Sequence, residues 1–159
     1  MSKEQAVAVG QIPSGLFIVC ATDKENSNAD GYLASWIQQV SFEPLLLCLA
    51  IKPGRPAYEL IKSGNPFSIN IVGDHESSYL KHFWKGYDPE FNPFSEIDHV
   101  LSDNNTINFK DAKAVIECRF VSSTQPGDHE LVIAEVVNSV INNEVAKPKV
   151  HLRKNGLDY

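Results

Sequence analysis

Two long runs near the end of the chain, Ala114–Ser123 and Glu130–Ile141, are rich in β-branched and aromatic residues and flank Gln125-Pro126-Gly127-Asp128. Strand formers on both sides of a Pro-Gly turn predict a long antiparallel hairpin. Such a hairpin needs further strands on its edges and a cover for its apolar face. Those strands are legible upstream. Gly15–Ala21 and Leu45–Ile51 are continuous apolar runs, Phe67–Val72 alternates, Tyr32–Phe42 reads as an extended run before Pro44, and Lys149–Leu152 closes the chain. Helical spacing is confined to Arg55–Ser63, which Gly64 should end, and to Ser77–Trp84 after a Ser cap. The first ten residues read as a short flexible arm, Asp23–Asp30 as a polar loop, and Lys85–Asn108 as an irregular excursion or lid. About six or seven strands without strand–helix alternation favour a mainly β, antiparallel barrel over a doubly wound parallel sheet.

The 159 residues, 43% of them hydrophobic, suit one domain over residues 1–159, able to build a core without a metal or disulfide. A net charge of -6 argues against nucleic acid or an anionic membrane as partner, and no segment has membrane-spanning length. Cys20, Cys48 and Cys118 are scattered through apolar runs, which predicts buried free thiols and a reducing cytoplasm. No GxGxxG, GxxxxGK[ST] or GxSxG occurs, and the histidines lack metal-pair spacing. Rossmann, P-loop, hydrolase and metal chemistry therefore lose their usual support.

Four local features remain. Gly31-Tyr32-Leu33-Ala34-Ser35-Trp36, with Ser41 after it, leads from a polar loop into a strand. Small Ala34 and Ser35 would let a flat ring approach the main chain, although the residues by themselves favour an ordinary strand with a core Trp36. Lys52-Pro53-Gly54-Arg55 stands at a strand end and opens a helix, which makes either a phosphate seat or a solvated basic turn. Asn70 lies in an apolar strand, and a buried amide there binds backbone or a ligand. His129, after Gly127-Asp128 at the hairpin, sits beside a pocket or is a turn residue without a task.

In order and spacing, IPSGLFIV, GYLASWIQQVSFEP, KPGRPAYELIKSG, FSINIV and GDHELVIAEV resemble the flavin-reductase-like family of FMN-binding split barrels. The closing KVHLRKNGLDY is similar to the family's last strand, so the likeness spans nearly the whole chain. Tyr79-Leu80-Lys81-His82-Phe83, with Tyr87-Asp88-Pro89 and Phe94, further resembles the flavin-reductase module of cyanobacterial flavodiiron proteins. The resemblance implies an antiparallel split β-barrel with short helices, a homodimer, and FMN (or FAD) near the interface. It implies that Gly31, Tyr32, Leu33, Ala34, Ser35 and Trp36 line the flavin ring, and that Ser41, Lys52 and Arg55 hold the phosphate. Asn70 would be a further contact, and His129 would position the nicotinamide of NADH or NADPH. The implied activity is an NAD(P)H:flavin oxidoreductase in the cytoplasm. The alternative is a non-enzymatic FMN electron carrier reduced by a redox protein partner.

Overall fold

A computed structural model describes residues 2–25 and 28–157; Met1 of the expected arm, residues 26 and 27 of the polar stretch, and the last two residues of the closing motif lie outside them. The main sheet has seven strands in the order β3-β2-β6-β9-β10-β5-β4. These are β2 (Phe17–Thr22), β3 (Ala29–Ala34), β4 (Ile37–Ser41), β5 (Leu46–Ile51), β6 (Phe67–Ile71), β9 (Ala114–Thr124) and β10 (Glu130–Ile141), and every pairing is antiparallel. Two small pairs flank it, β1 (Ser14–Gly15) with β11 (Val150–His151), and β7 (His99–Leu101) with β8 (Ile107–Phe109). The expected long hairpin is β9–β10 and forms the centre of the sheet.

The sheet's two edges dictate its shape. Six gaps of about 4.8 Å would hold the edges of a flat sheet about 29 Å apart. Yet β3 and β4 are consecutive in the chain and joined only by Ser35 and Trp36. A step from Ala34 to Ile37 spans at most about 11 Å. The sheet must therefore curl until its edges meet, and they meet without pairing to each other. This is an open, split barrel, and Tyr32–Phe42 is two strands with a break at the split.

Alternation along β2 explains why it reads as a continuous apolar run. Val19 and Ala21 face one core cluster, with Leu49, Ile51, Phe67 and Ile69, while Ile18 and Cys20 face a second, with Phe83, Phe94 and Phe109. Helix α2 (Pro56–Lys62) adds Ala57, Tyr58 and Ile61 to the first cluster. Gly64, at φ 86°, follows the end of α2 as expected. In the second cluster, Phe83, Phe94 and Phe109 stand with ring centroids 6.1–6.4 Å apart. Phe83 lies so close to β3 that a Cβ on Gly31 would sit 2.8 Å from its ring.

Several expectations need correction. The N-terminal arm is a helix, α1 (Lys3–Gly10), started by a capping box in which Ser2 Oγ accepts from Gln5 N and Gln5 Oε1 accepts from Ser2 N. Strand β3 begins at Ala29, inside the expected loop. Ser78–His82 forms a 3-10 turn, and the stretch over residues 85–108 contains a second 3-10 turn, Pro93–Glu96, and strand β7. All three cysteines are free; burial pushes the thiols of Cys20 and Cys118 up, that of Cys118 to about 12.

Candidate functional site

A cavity of about 570 Å³ opens at the split. Tyr32, Leu33, Ala34, Ser35 and Trp36 form one wall, supplied by the end of β3 and the two-residue step into β4. Ala50 and Lys52 come from β5 and the residue following it, and Arg55 is the residue preceding α2. Leu80, Phe83 and Trp84 supply further apolar lining, and His129 reaches in from the β9–β10 loop. Lys149 and His151 enter from the C-terminal segment.

Charge distinguishes this cavity from the rest of the surface. A chain of net charge -6 lines it with two lysines, an arginine and two histidines, and with no aspartate or glutamate. Such an apolar slot ringed by cations suits a flat ligand with an anionic tail. Ser35 gives a second sign of a missing ligand. It is 4% exposed, and its hydroxyl has no hydrogen-bond partner among the described residues although it belongs to the cavity wall. A buried hydroxyl without a partner costs about 1–3 kcal/mol, which a ligand with a polar edge would offset. The residues thus fit a flavin, with a planar ring against the small Ala34 and Ser35 and a phosphate among cations.

Arg55 is held with its guanidinium carbon 5.5 Å from the Tyr32 ring centroid, a cation–π contact that orients it over the wall. The N-terminus of α2 plays a different part from the phosphate seat expected of it. The Asp30 carboxylate already accepts a hydrogen bond from Ala57 N at 3.0 Å. Asp30 is 4% exposed, and burial raises its pKa against the opposing pull of the Ala57 and Gly31 amides and Arg55. At this end of the cavity the side chains of Lys52 and Arg55, rather than the Ala57 amide, are the groups open to an anion.

His129 is placed by two neighbours. Its ring meets Trp36 edge-on, with centroids 5.1 Å apart, and its Nδ1 lies 3.0 Å from Asp128 Oδ1. A carboxylate only accepts, so Nδ1 carries the proton and the ring orientation is fixed. The hydrogen bond to His129 in turn lowers the Asp128 pKa.

Three expected residues stand outside this cavity. Gly31 borders a smaller, polar pocket of about 280 Å³ with Asp88 and Glu90, and its missing side chain admits Phe83. Ser41 ends β4 and is not part of the cavity wall. Asn70 is fully buried and serves as a clamp. Its Nδ2 donates to Ile18 O and Ile107 O, both at 3.2 Å, and its Oδ1 accepts from Phe109 N at 2.8 Å. It therefore fastens the β7–β8 hairpin to the sheet through amide-like bonds, which is the backbone-binding alternative, and stands outside the cavity lining. Sequence reasoning did not find Leu80, Phe83, Trp84, Lys149 or His151 as cavity residues. The closing K-x-H-x-R alternation was a usable signal for the last two, because period-two basic residues share one side of a strand.

A family model described as the flavin reductase like domain matches residues 9–156. The chain is 36% identical over 154 residues to diflavin flavoprotein A 6 of Nostoc sp. (strain PCC 7120), covering 96% of this chain and 26% of that protein. It is 32% identical over 155 residues to diflavin flavoprotein A 1 of Synechocystis sp. (strain PCC 6803), with the same coverages. The chain thus spans about a quarter of the length of the curated relatives it matches. Among solved structures, the NADH:FAD oxidoreductase of Streptomyces globisporus C-1027 aligns with a TM-score of 0.82 at 19% identity, over 94% of this chain and 87% of that one. The styrene monooxygenase flavin reductase of Pseudomonas putida S12 aligns at 0.79 and 22% identity, over 96% and 93%. At these identities the likeness establishes the fold.

Proposed function

This chain belongs to the flavin reductase like family, and from that premise we propose that it binds FMN and passes electrons to it from NADH or NADPH. The observation that carries this reading is the cavity itself, an apolar slot with an unpartnered buried Ser35 hydroxyl and cations without carboxylates in an acidic chain. FAD would suit the same ring wall. A flavin held there would supply the redox chemistry, the acceptance of a hydride equivalent, for which no side chain here is suited.

The protein's work is binding and orientation. The main chain from Tyr32 to Trp36 and the Ser35 hydroxyl would meet the polar edge of the ring. Lys52 and Arg55 would offset the phosphate charge, and Ser41, which ends β4 outside the cavity wall of one chain, would join them in the dimer. Leu80 and Phe83 exclude water from one side, which strengthens every polar contact inside. His129, held by Asp128 against Trp36, would position the nicotinamide amide so that donor and acceptor atoms meet in register.

We further propose a homodimer in the cytoplasm. Support comes from exposed Val40, Phe42 and Leu45 at the β4–β5 turn, an apolar group adjoining the split. The free cysteines suit a reducing compartment. Among the described residues no helix is long and apolar enough to cross a membrane.

A visible absorption spectrum of the purified protein, before and after adding NADPH or NADH, tests the proposal. A bound-flavin spectrum that bleaches on addition is expected. A flavin that stays oxidised with both nucleotides, yet is reduced by a redox protein, would instead assign the non-enzymatic carrier role. A colourless protein that refuses added FMN and FAD would overturn both.

A further inference from the structure

From Pro148 to Lys154 the chain alternates between outward and inward residues without a break. Val150 and Leu152 are 65% and 62% exposed, whereas Lys149 and His151 are half-buried and Arg153 is only 8% exposed. Extended backbone puts alternate side chains on one side, so these three basic residues form a single stripe. Lys149 and His151 line the cavity, and the Arg153 guanidinium carbon lies 5.1 Å from the centroid of Trp36, a cavity-wall ring.

Among the described residues none of the three forms an ion pair. Lys149 Nζ donates to Ser77 Oγ at 2.9 Å, a neutral acceptor. Arg153 makes neither a hydrogen bond nor an ion pair with the described residues; its one contact of this kind is the Trp36 ring. A guanidinium carries five donors, and none of the Arg153 nitrogens is among the fully buried unpartnered atoms, so they keep access to the surface and can meet a ligand. Lys52, just after β5, and Arg55, just before α2, already form a separate pair of cations suited to one phosphate. A flavin mononucleotide has a single phosphate, so the second set of cations is left for another.

We propose that Lys149, His151 and Arg153 form a second anion site, which takes the pyrophosphate of a dinucleotide. This inference rests on the flavin-binding reading of the cavity. The pyrophosphate could come from the nicotinamide dinucleotide that reduces bound FMN, or from FAD itself. Arg153 suits it because a planar fork meets two phosphate oxygens at once, and Trp36 beneath keeps that fork flat.

The test compares wild type, Lys149→Ala, Arg153→Ala and Arg153→Lys, with thermal melts to confirm folding. FMN, FAD and inorganic pyrophosphate are titrated against each protein, and NAD+ and NADP+ against each FMN-loaded protein. The Trp36 indole NMR signal reports occupancy without turnover. Expected is an FMN Kd unchanged within about twofold, with NAD+ or NADP+ binding weakened about tenfold or more if the nicotinamide nucleotide is the source. A selective loss of FAD over FMN would assign the flavin dinucleotide instead. If wild type binds no flavin, the proposed function fails, while a pyrophosphate response at Trp36 that Arg153→Ala abolishes still supports the site. Variants that lose FMN as strongly as dinucleotide, or bind every probe like wild type, would overturn it. So would a wild type whose Trp36 signal ignores pyrophosphate. Should Arg153→Ala fail to fold, Lys149→Ala and Arg153→Lys decide by the same criteria.

Discussion

Replacing Asn70 with alanine separates a structural clamp from a ligand contact. In the native fold Asn70 Oδ1 satisfies Phe109 N, and Nδ2 serves Ile18 O and Ile107 O, all in fully buried surroundings. Truncation strands the Phe109 N–H, at a cost of about 1–3 kcal/mol, and weakens two carbonyls that also lose a donor. A small void adds to the loss, since about 24 cal/mol accompanies each Å³ that does not collapse. Together these give about 3 kcal/mol, or a fall of about 6–12 °C in Tm for a domain of this size. Differential scanning calorimetry reads the fall directly, and an FMN titration on the same sample should return a nearly native Kd. A Tm that does not move, together with lost FMN affinity, would show that the amide faces ligand and that the clamp argument is wrong.

Lys52→Ala combined with Arg55→Ala should weaken FMN binding by about 1.5–3 kcal/mol or more, the contribution of a hydrogen bond to a charged group; fluorescence titration checks it, and native affinity would remove both residues from the phosphate site. His129→Ala should slow NAD(P)H oxidation while leaving FMN affinity near native, and identical steady-state rates would return His129 to a turn role. Glu130, which accepts from Ser123 and Tyr58 and pairs with Lys62 Nζ at 3.1 Å, has its pKa lowered to about 2, chiefly by the Ser123 hydrogen bond. A carboxylate depressed on folding stabilises above its unfolded pKa of about 4.3 and loses that contribution as pH falls through about 2. The stability gap between wild type and Glu130→Gln, from urea midpoints, should accordingly be full at pH 7 and shrink steadily in acid. A gap that stays constant down to about pH 2 contradicts the assignment.

The long β9–β10 hairpin and the runs β2, β5 and β6 were readable because strand formers stood between strong turn signals. Helix α1 was signalled by Ser2 and Gln5 at capping-box spacing, although KEQAVAV has too little apolar periodicity to announce a helix. Asp30 shows why β3 began earlier than expected. A charged residue in a polar run reads as loop, and only its long-range bond to Ala57 N makes a strand position tolerable. The same holds for the site. Lys52, Arg55 and the 32–36 wall were singled out by local pattern but tied to a ligand only through the family resemblance, whereas Leu80, Phe83 and Lys149 reach the cavity through tertiary packing. Asn70 was ambiguous from sequence because a buried amide has the same appearance whether it grips backbone or ligand.

The triangle of Phe83, Phe94 and Phe109 has a consequence for how the cavity is entered. Phe83 belongs at once to the cavity wall and to this interlocked core, so the wall is as firm as the interior behind it. A guest need not organise that side on arrival, and little of its binding energy is diverted to ordering side chains. Limited proteolysis between Ser78 and Ile97 should accordingly give the same fragments with and without FMN. Adjustment to a guest is then left to Trp84, the neighbour of Phe83, which is 68% exposed and has no such anchorage among these rings.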